Sequence, residues 1–183
     1  MKFINKVVRK LEHWYFISIR RDKVQYAKRL GVSVGQNVRI MPDPYTAFGT
    51  EPYLITIGDN VEITDRVQFT THDGALWVIR NIDERYKNAD IFKPIRIGNN
   101  VFIGNDTYVL PGVTIGNNVI IGAHSVITKD IPDNCVYAGV PARYISTIED
   151  YITKIGTNFV ETKNMDQDEK KQFLLKKYNW DEE

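Results

Sequence analysis

The sequence predicts a parallel β-solenoid, a mainly β architecture with helices at both ends. Three observations carry this reading. Large apolar residues recur every sixth position, turn-forming residues follow each of them three places later, and the composition suits one soluble domain. The 183 residues fit a single compact domain with at most a small appendage. Apolar residues make up 43% and charged residues 26%, near the averages for a globular protein, so a sizeable core is expected rather than wholesale disorder.

The repeat is in phase at nine positions: Ile57, Ile63, Phe69, Ile97, Ile103, Val109, Ile115, Ile121 and Ile127. The fifth residues of these hexads are Val61, Val67, Asp73, Val101, Thr107, Val113, Val119, Ser125 and Ile131. Most are small or β-branched, and Asp73 falls where the repeat breaks. The fourth residues are Asn60, Arg66, His72, Asn100, Asp106, Gly112, Asn118, His124 and Asp130. All but Arg66 belong to the types that best tolerate positive φ. Each hexad therefore reads as a short strand followed by a tight corner. Three such steps close one triangular coil, with the first residues inward and coils stacked about 4.8 Å apart.

Flanking segments follow in order. Residues 1–30 are expected to be helical: Ile4, Val7, Leu11 and Trp14 keep helical spacing, and Asp22 caps a second helix ending at Gly31. The solenoid is expected over 31–145. It begins at Val34 and Ile40 and is interrupted by an irregular excursion over 41–56 containing Pro42, Pro44, Gly49 and Pro52. If Ile91 resumes the phase, 75–90 is an inserted loop carrying Trp77, Arg80 and Tyr86. Loops of that length inside a regular scaffold are usually functional or disordered, and the aromatic content argues against disorder. In the extension 146–183, Asp166 with Glu169 reads as a capping box before a helix through Phe173, Leu174 and Tyr178. Covering the terminal coils is the plainest role for both ends.

Composition also excludes several functions. No apolar run approaches the about 18 residues of a spanning helix. Positions 1–20 lack the apolar core and cleavage site of a secretory signal, and Cys135 is the sole cysteine. A cytoplasmic protein is expected. Residues 1–30 carry a net charge of +7 and the remainder −6. That asymmetry suits either a helix with a solvated basic face or peripheral contact with an anionic membrane. Nucleic acid is not expected as a partner, because the acidic remainder has no basic stripe with stacking aromatics.

Chemistry must come from few groups. Of the three histidines, His13 lies on the basic N-terminal helix, and His72 and His124 stand at corner positions that positive φ alone would explain. Context separates the two. His124 lies in an unbroken run, whereas His72 lies in Thr70-Thr71-His72-Asp73-Gly74, where the repeat stops and the aromatic loop begins. A neutral imidazole there can take a proton from an acceptor hydroxyl.

The stretch KPIRIGNNVFIGNDTYVLPGVTIGNNVIIGAHSVITKDIPDNCVYAGVPARYI, residues 93–145, resembles the acetyl-CoA-binding half of hexapeptide-repeat sugar O-acetyltransferases. THDG with a following Trp and Arg resembles the polysaccharide-biosynthesis branch, and the likeness covers residues 30–148. It implies a left-handed coil, acetyl-CoA as co-substrate, no metal, and a homotrimer with sites between subunits. A general base in that family carries over to His72. Asn105 matches a position beside the pantetheine arm, and Ala123 one whose amide approaches the thioester. Thr128, Lys129 and Arg143 match positions near the nucleotide end, where Lys and Arg complement phosphates; as residues alone they are equally solvated charges. Trp77, Arg80 and Asp73 are candidates to contact the acceptor. Trp77 stacks on a sugar ring or packs the loop, and Asp73 orients the imidazole or sets the turn before Gly74. The histidine-rich HPxHH motif of galactoside enzymes is missing, so another acceptor is expected.

Counting three hexads per coil with 75–90 removed places Phe69, Ile103 and Ile121 on one side. His72, Asn105 and Ala123 are then expected along one edge. Other readings are an N-acetyltransferase acting on an amino sugar, an antibiotic acetyltransferase, and a non-catalytic membrane-surface or scaffold module. A γ-class carbonic anhydrase is disfavoured, since two solenoid histidines are too few for three zinc ligands.

Overall fold

Strands of two or three residues cannot stand alone, so each must borrow hydrogen bonds from copies of itself one coil away. The computed structural model, which describes residues 2–180, shows this arrangement. Three parallel sheets form three faces. The first stacks Ser33–Val34, Ile55–Ile57, Ile95–Ile97 and Thr114–Ile115. The second stacks Arg39–Ile40, Val61–Ile63, Val101–Ile103, Val119–Ile121 and Cys135–Ala138. The third stacks Gln68–Phe69, Tyr108–Val109 and Val126–Ile127. Pairing is in register, for example Ile63 with Ile103 and Ile103 with Ile121. The last strand, Arg143–Thr147, turns back antiparallel on Cys135–Ala138.

The hexad arithmetic holds at every inward position. All nine first residues are at most 3% exposed. Their fifth-position neighbours are buried too, except Asp73. Phe48, fully buried, stacks on Phe69 with ring centroids 5.2 Å apart, so it plugs the first coil where the 41–56 excursion leaves the repeat. That excursion is ordered by two single turns, Pro44–Ala47 capped by Asp43, and Pro52–Leu54.

Corners are built from positive φ and side-chain ladders. Seven of the nine fourth residues have φ between 54° and 87°: Asn60, Arg66, Asn100, Asp106, Gly112, Asn118 and His124. His72 and Asp130 do not. At the edge between the first and second faces, Asn99 Oδ1 accepts from the Asp59 amide at 2.7 Å, Asn117 Oδ1 from the Asn99 amide at 2.9 Å, and Asp133 Oδ1 from the Asn117 amide at 2.7 Å. These side-chain oxygens satisfy amides that the corners take out of the ladders. Coils approach so closely there that a Cβ on Gly98 would lie 2.6 Å from the Gly116 carbonyl oxygen.

Two expectations need correction. The 75–90 insertion is not an irregular loop: Leu76–Ile82 is helical, anchored by buried Leu76, and Glu84–Tyr86 forms a 3-10 turn. Nor does Ile91 resume the phase. It is 39% exposed, and the chain around it pairs antiparallel with the strand end at His72, outside the core. The solenoid resumes at Ile95, so the excursion removes one more hexad than the count assumed. Phe69 therefore stacks on Val109, not beneath Ile103.

The helices α1 (Lys2–Trp14) and α2 (Lys23–Leu30) precede the solenoid, joined by a π-helical turn over Tyr15–Arg20. Asp22 Oδ1 accepts from the Gln25 amide, and Gly31 ends α2 at φ 116°. The chain divides into two compact units at Asp150 and Tyr151. In the second, Gln167–Lys177 is helical and opens with a reciprocal capping box between Asp166 and Glu169.

Replacing a stacked core rung should be costly. Ile121→Ala is expected to lose about 2–5 kcal/mol in urea unfolding. Outward-facing Thr56→Ala, one face away, should stay within about 0.5 kcal/mol.

Candidate active site

The third edge is where regularity fails, and His72 stands on it. Its backbone leaves the solenoid from Phe69, and the Thr70 amide still bonds the Val109 carbonyl one coil below. Because φ at His72 is not positive, corner geometry does not account for a histidine there. At His124 it does, with φ 54°, an exposed ring and Asp106 Oδ2 3.5 Å away.

What holds the His72 ring is Glu51, which no sequence pattern singled out. His72 Nδ1 lies 2.9 Å from Glu51 Oε2. The same oxygen accepts from Thr71 Oγ1 at 2.8 Å, and Oε1 accepts from Thr50 Oγ1 at 2.6 Å. Glu51 is 14% exposed, while His72 is 45% exposed. Burial opposes ionisation of Glu51, but hydrogen bonds from Thr50, His72 and Thr71 outweigh it and hold the carboxyl below its usual range. An ionised carboxylate only accepts, so in the neutral imidazole Nδ1 carries the hydrogen and Nε2 keeps a lone pair. Phe92 closes one side, edge-on at 6.2 Å. Such a ring, with its tautomer set, is able to accept a proton at Nε2. Glu51 lies 21 residues upstream, at the end of the 41–56 excursion. Its only sequence signal was an acid inside an interruption on the same open edge.

Asp73 does not orient the imidazole. Its Oδ1 accepts from the Ala75 amide at 2.9 Å, which is the turn role. Trp77, 71% exposed, and Arg80 line one shallow groove of about 370 Å³ together with Glu84 and Lys87. Arg80 is committed to the insertion itself: Nε donates to the Ala89 carbonyl at 2.8 Å, and the guanidinium pairs with Asp90.

The remaining candidates divide between two places. Thr128 and Lys129 stand on the same edge as His72, two coils along, since the Leu110 amide bonds the Ile127 carbonyl. With Arg143 they line a groove of about 400 Å³ that includes Tyr137 and Tyr144, whose rings meet edge-on at 6.0 Å. Two cations beside two aromatic rings can take phosphates and a flat heterocycle. Asn105 and Ala123 lie elsewhere, on the edge between the second and third faces. Asn105 Oδ1 accepts from the Asp65 amide at 3.0 Å, and Ala123 stacks on Gly104. Within one chain the expected single edge for His72, Asn105 and Ala123 is therefore wrong. The register shift at Ile91 is the cause.

Other reactive groups are set apart. Cys135 is buried with Sγ 3.0 Å from the Pro132 carbonyl, and burial, with Asp133 nearby, pushes its thiol pKa up. Among the described residues no three His, Cys, Asp or Glu side chains group as metal ligands.

Comparison with known proteins agrees with this architecture. The bacterial transferase hexapeptide (six repeats) family matches residues 94–129. Protein CapG of Staphylococcus aureus is 49% identical over 88% of this chain and 90% of its own length. Among solved structures, a galactoside acetyltransferase in complex with coenzyme A aligns at 33% identity and TM-score 0.59, covering 83% of this chain and 84% of that one. A hexapeptide-repeat acetyltransferase of Vibrio cholerae complexed with acetyl coenzyme A aligns at 27% identity and TM-score 0.60, covering 75% and 83%.

The part-buried, hydrogen-bonded Glu51 makes a pH-dependent prediction. A carboxyl held below its unfolded pKa stabilises the fold above that value and loses its contribution as pH falls through the folded one. Glu51→Gln should therefore be less stable than wild type by about 1–3 kcal/mol at neutral pH. Urea unfolding should show the gap closing under acid, below about pH 4.

Proposed function

The chain belongs to the hexapeptide-repeat acetyltransferases, and from that premise we propose that it moves an acetyl group from acetyl-CoA to a sugar hydroxyl in surface-polysaccharide biosynthesis. The reading rests on one observation above all: an imidazole at the open third edge whose Nδ1 is tied to a shielded carboxylate. The left-handed winding implied by residues 93–145 belongs to the same proposal, as does a cytoplasmic setting. The THDG resemblance supports a glycan acceptor, as does the galactoside activity named for one aligned structure.

His72 Nε2 accepts the proton of the acceptor hydroxyl as its oxygen attacks the thioester carbonyl carbon. The carbonyl oxygen gains the negative charge and takes a hydrogen bond from a backbone N–H. Glu51 steadies the imidazolium formed in that step. On collapse the C–S bond breaks, the imidazolium returns its proton to the sulfur, and acetyl ester and free thiol leave. Direct transfer needs no enzyme nucleophile, in keeping with a buried Cys135.

Thr128, Lys129 and Arg143 would hold the nucleotide end of acetyl-CoA in their groove. Since Asn105 and Ala123 stand on the edge away from His72, the thioester end is met by two copies of the chain: one supplies His72 and Glu51, its neighbour Asn105 and Ala123. A closed ring of three gives three equivalent sites. Trp77 then presents its exposed ring to the acceptor, and Arg80 braces the insertion that carries it.

His72→Ala should lower thiol release from acetyl-CoA, with a sugar acceptor, by about 10²–10⁴-fold with the oligomer intact. Retained turnover would overturn the base assignment. Glu51→Gln should cut kcat while leaving KM for acetyl-CoA unchanged, and should alter the pH–rate profile; loss through KM alone would deny it the positioning role. Mixed oligomers of His72→Ala chains and Ala123→Trp chains should recover activity that neither homo-oligomer has. No recovery would place each site within a single chain.

A further inference from the structure

α1 is turned the opposite way from an ordinary surface helix. An amphipathic helix normally lays its apolar stripe on the core and its charges in water. Here two polar residues, Glu12 and His13, face the body. Glu12 Oε1 accepts from Arg29 at 2.7 Å, and His13 Nε2 bonds Asp43 Oδ2 at 2.6 Å, with its ring against Tyr26 and Tyr45 at 5.7 and 6.0 Å. The apolar stripe is left outside. Val7, Leu11 and Trp14 share one line at 100° per residue and are 42%, 59% and 56% exposed. Val8 and Tyr15 lie beside them, and Ile19 extends the exposed apolar surface into the following turn.

Charge identifies what covers it. Residues 1–30 carry nine Lys or Arg against Glu12 and Asp22. Beyond the stripe, Arg20, Arg21, Lys23 and Arg39 line an open groove of about 680 Å³; Arg39 pairs with Glu62 at 3.2 Å and Lys23 donates to the Met41 carbonyl, so Arg20 and Arg21 are the cations it offers a ligand. The one acid in it, Asp22, is occupied in capping α2. Two copies meeting symmetrically through this face would set +7 against +7. We propose that the N-terminal segment is a docking surface for an anionic phospholipid membrane. The stripe sinks into the interface, and the basic groove at its end takes headgroup phosphates. No helix among the described residues is long and apolar enough to cross a membrane, so the contact lies in the plane of the surface. This surface stands independently of the base assigned to His72.

Sedimentation of the full chain with vesicles tests it. Wild type should pellet with phosphatidylcholine vesicles containing phosphatidylglycerol, pellet far less with phosphatidylcholine alone, and be released as salt rises. Leu11→Asp with Trp14→Asp should weaken binding by about tenfold or more, with helix content, oligomeric state and solution activity unchanged. Arg20→Glu with Arg21→Glu should give a similar loss confined to the anionic vesicles. Failure of wild type to pellet with either vesicle, or equal pelleting with both, would overturn the proposal. So would undiminished binding by either variant. A change of oligomeric state in the Leu11/Trp14 variant would assign the stripe to a second copy instead.

Discussion

Inward stacking of aliphatic side chains, each on the equivalent residue of the next coil, is the constraint from which the rest of this molecule follows. A two- or three-residue strand offers too few hydrogen bonds to persist, and a single coil encloses too little apolar volume to exclude water. Columns such as Ile63–Ile103–Ile121 solve both problems together, because registering the side chains also registers the backbone ladders. Burying each of these residues is worth roughly 1.5–3 kcal/mol. What the columns require in return is a corner every sixth residue, and Asn, Asp and Gly answer with positive φ and carboxamide ladders.

Such a scaffold is rigid everywhere it is regular, so function collects where it is not. The two interruptions leave from neighbouring coils. The 41–56 excursion delivers Glu51, and the 70–94 excursion starts with His72; the two side chains meet at 2.9 Å. Neither segment alone would fix a base. Glu51 needs three donors to stay ionised against its partial burial, and His72 needs that carboxylate to hold one tautomer. Two coils along the same edge, Thr128 and Lys129 line the groove proposed for the other end of a long co-substrate. A linear co-substrate suits an edge, since an edge is the one direction in which a solenoid is extended without being closed.

The N-terminal segment answers to different physics. Glu12 and His13 tie α1 down through polar atoms, and the stripe of Val7, Leu11 and Trp14 stands outside the core. A basic segment joined to an acidic remainder polarises the chain, and the proposed membrane contact rests on that asymmetry. On the proposed reading, an enzyme acting on a growing glycan would gain from being held where such polymers are assembled, and His72 would stay free to act.

Periodicity alone settled the solenoid, its inward residues and six of its seven positive-φ corners, Arg66 being the exception, because those depend on side chains six apart and on local steric preference. Resemblance over residues 93–145 brought the acetyltransferase reading and the residues proposed for the nucleotide end, and the break at Thr70–Gly74 pointed to His72. The Asp166 capping box was legible for the same local reason. The sequence could not reveal Glu51, because its partnership with His72 spans two excursions with no period to connect them. Nor could it reveal that Ile91 stays outside the core, an unmade contact that moved Phe69 to another face and separated His72 from Asn105 and Ala123. Local chemistry decides which residues turn and which point inward. Only the closed tertiary structure decides where a chain that has left the repeat comes back, since that depends on what the excursion itself buries.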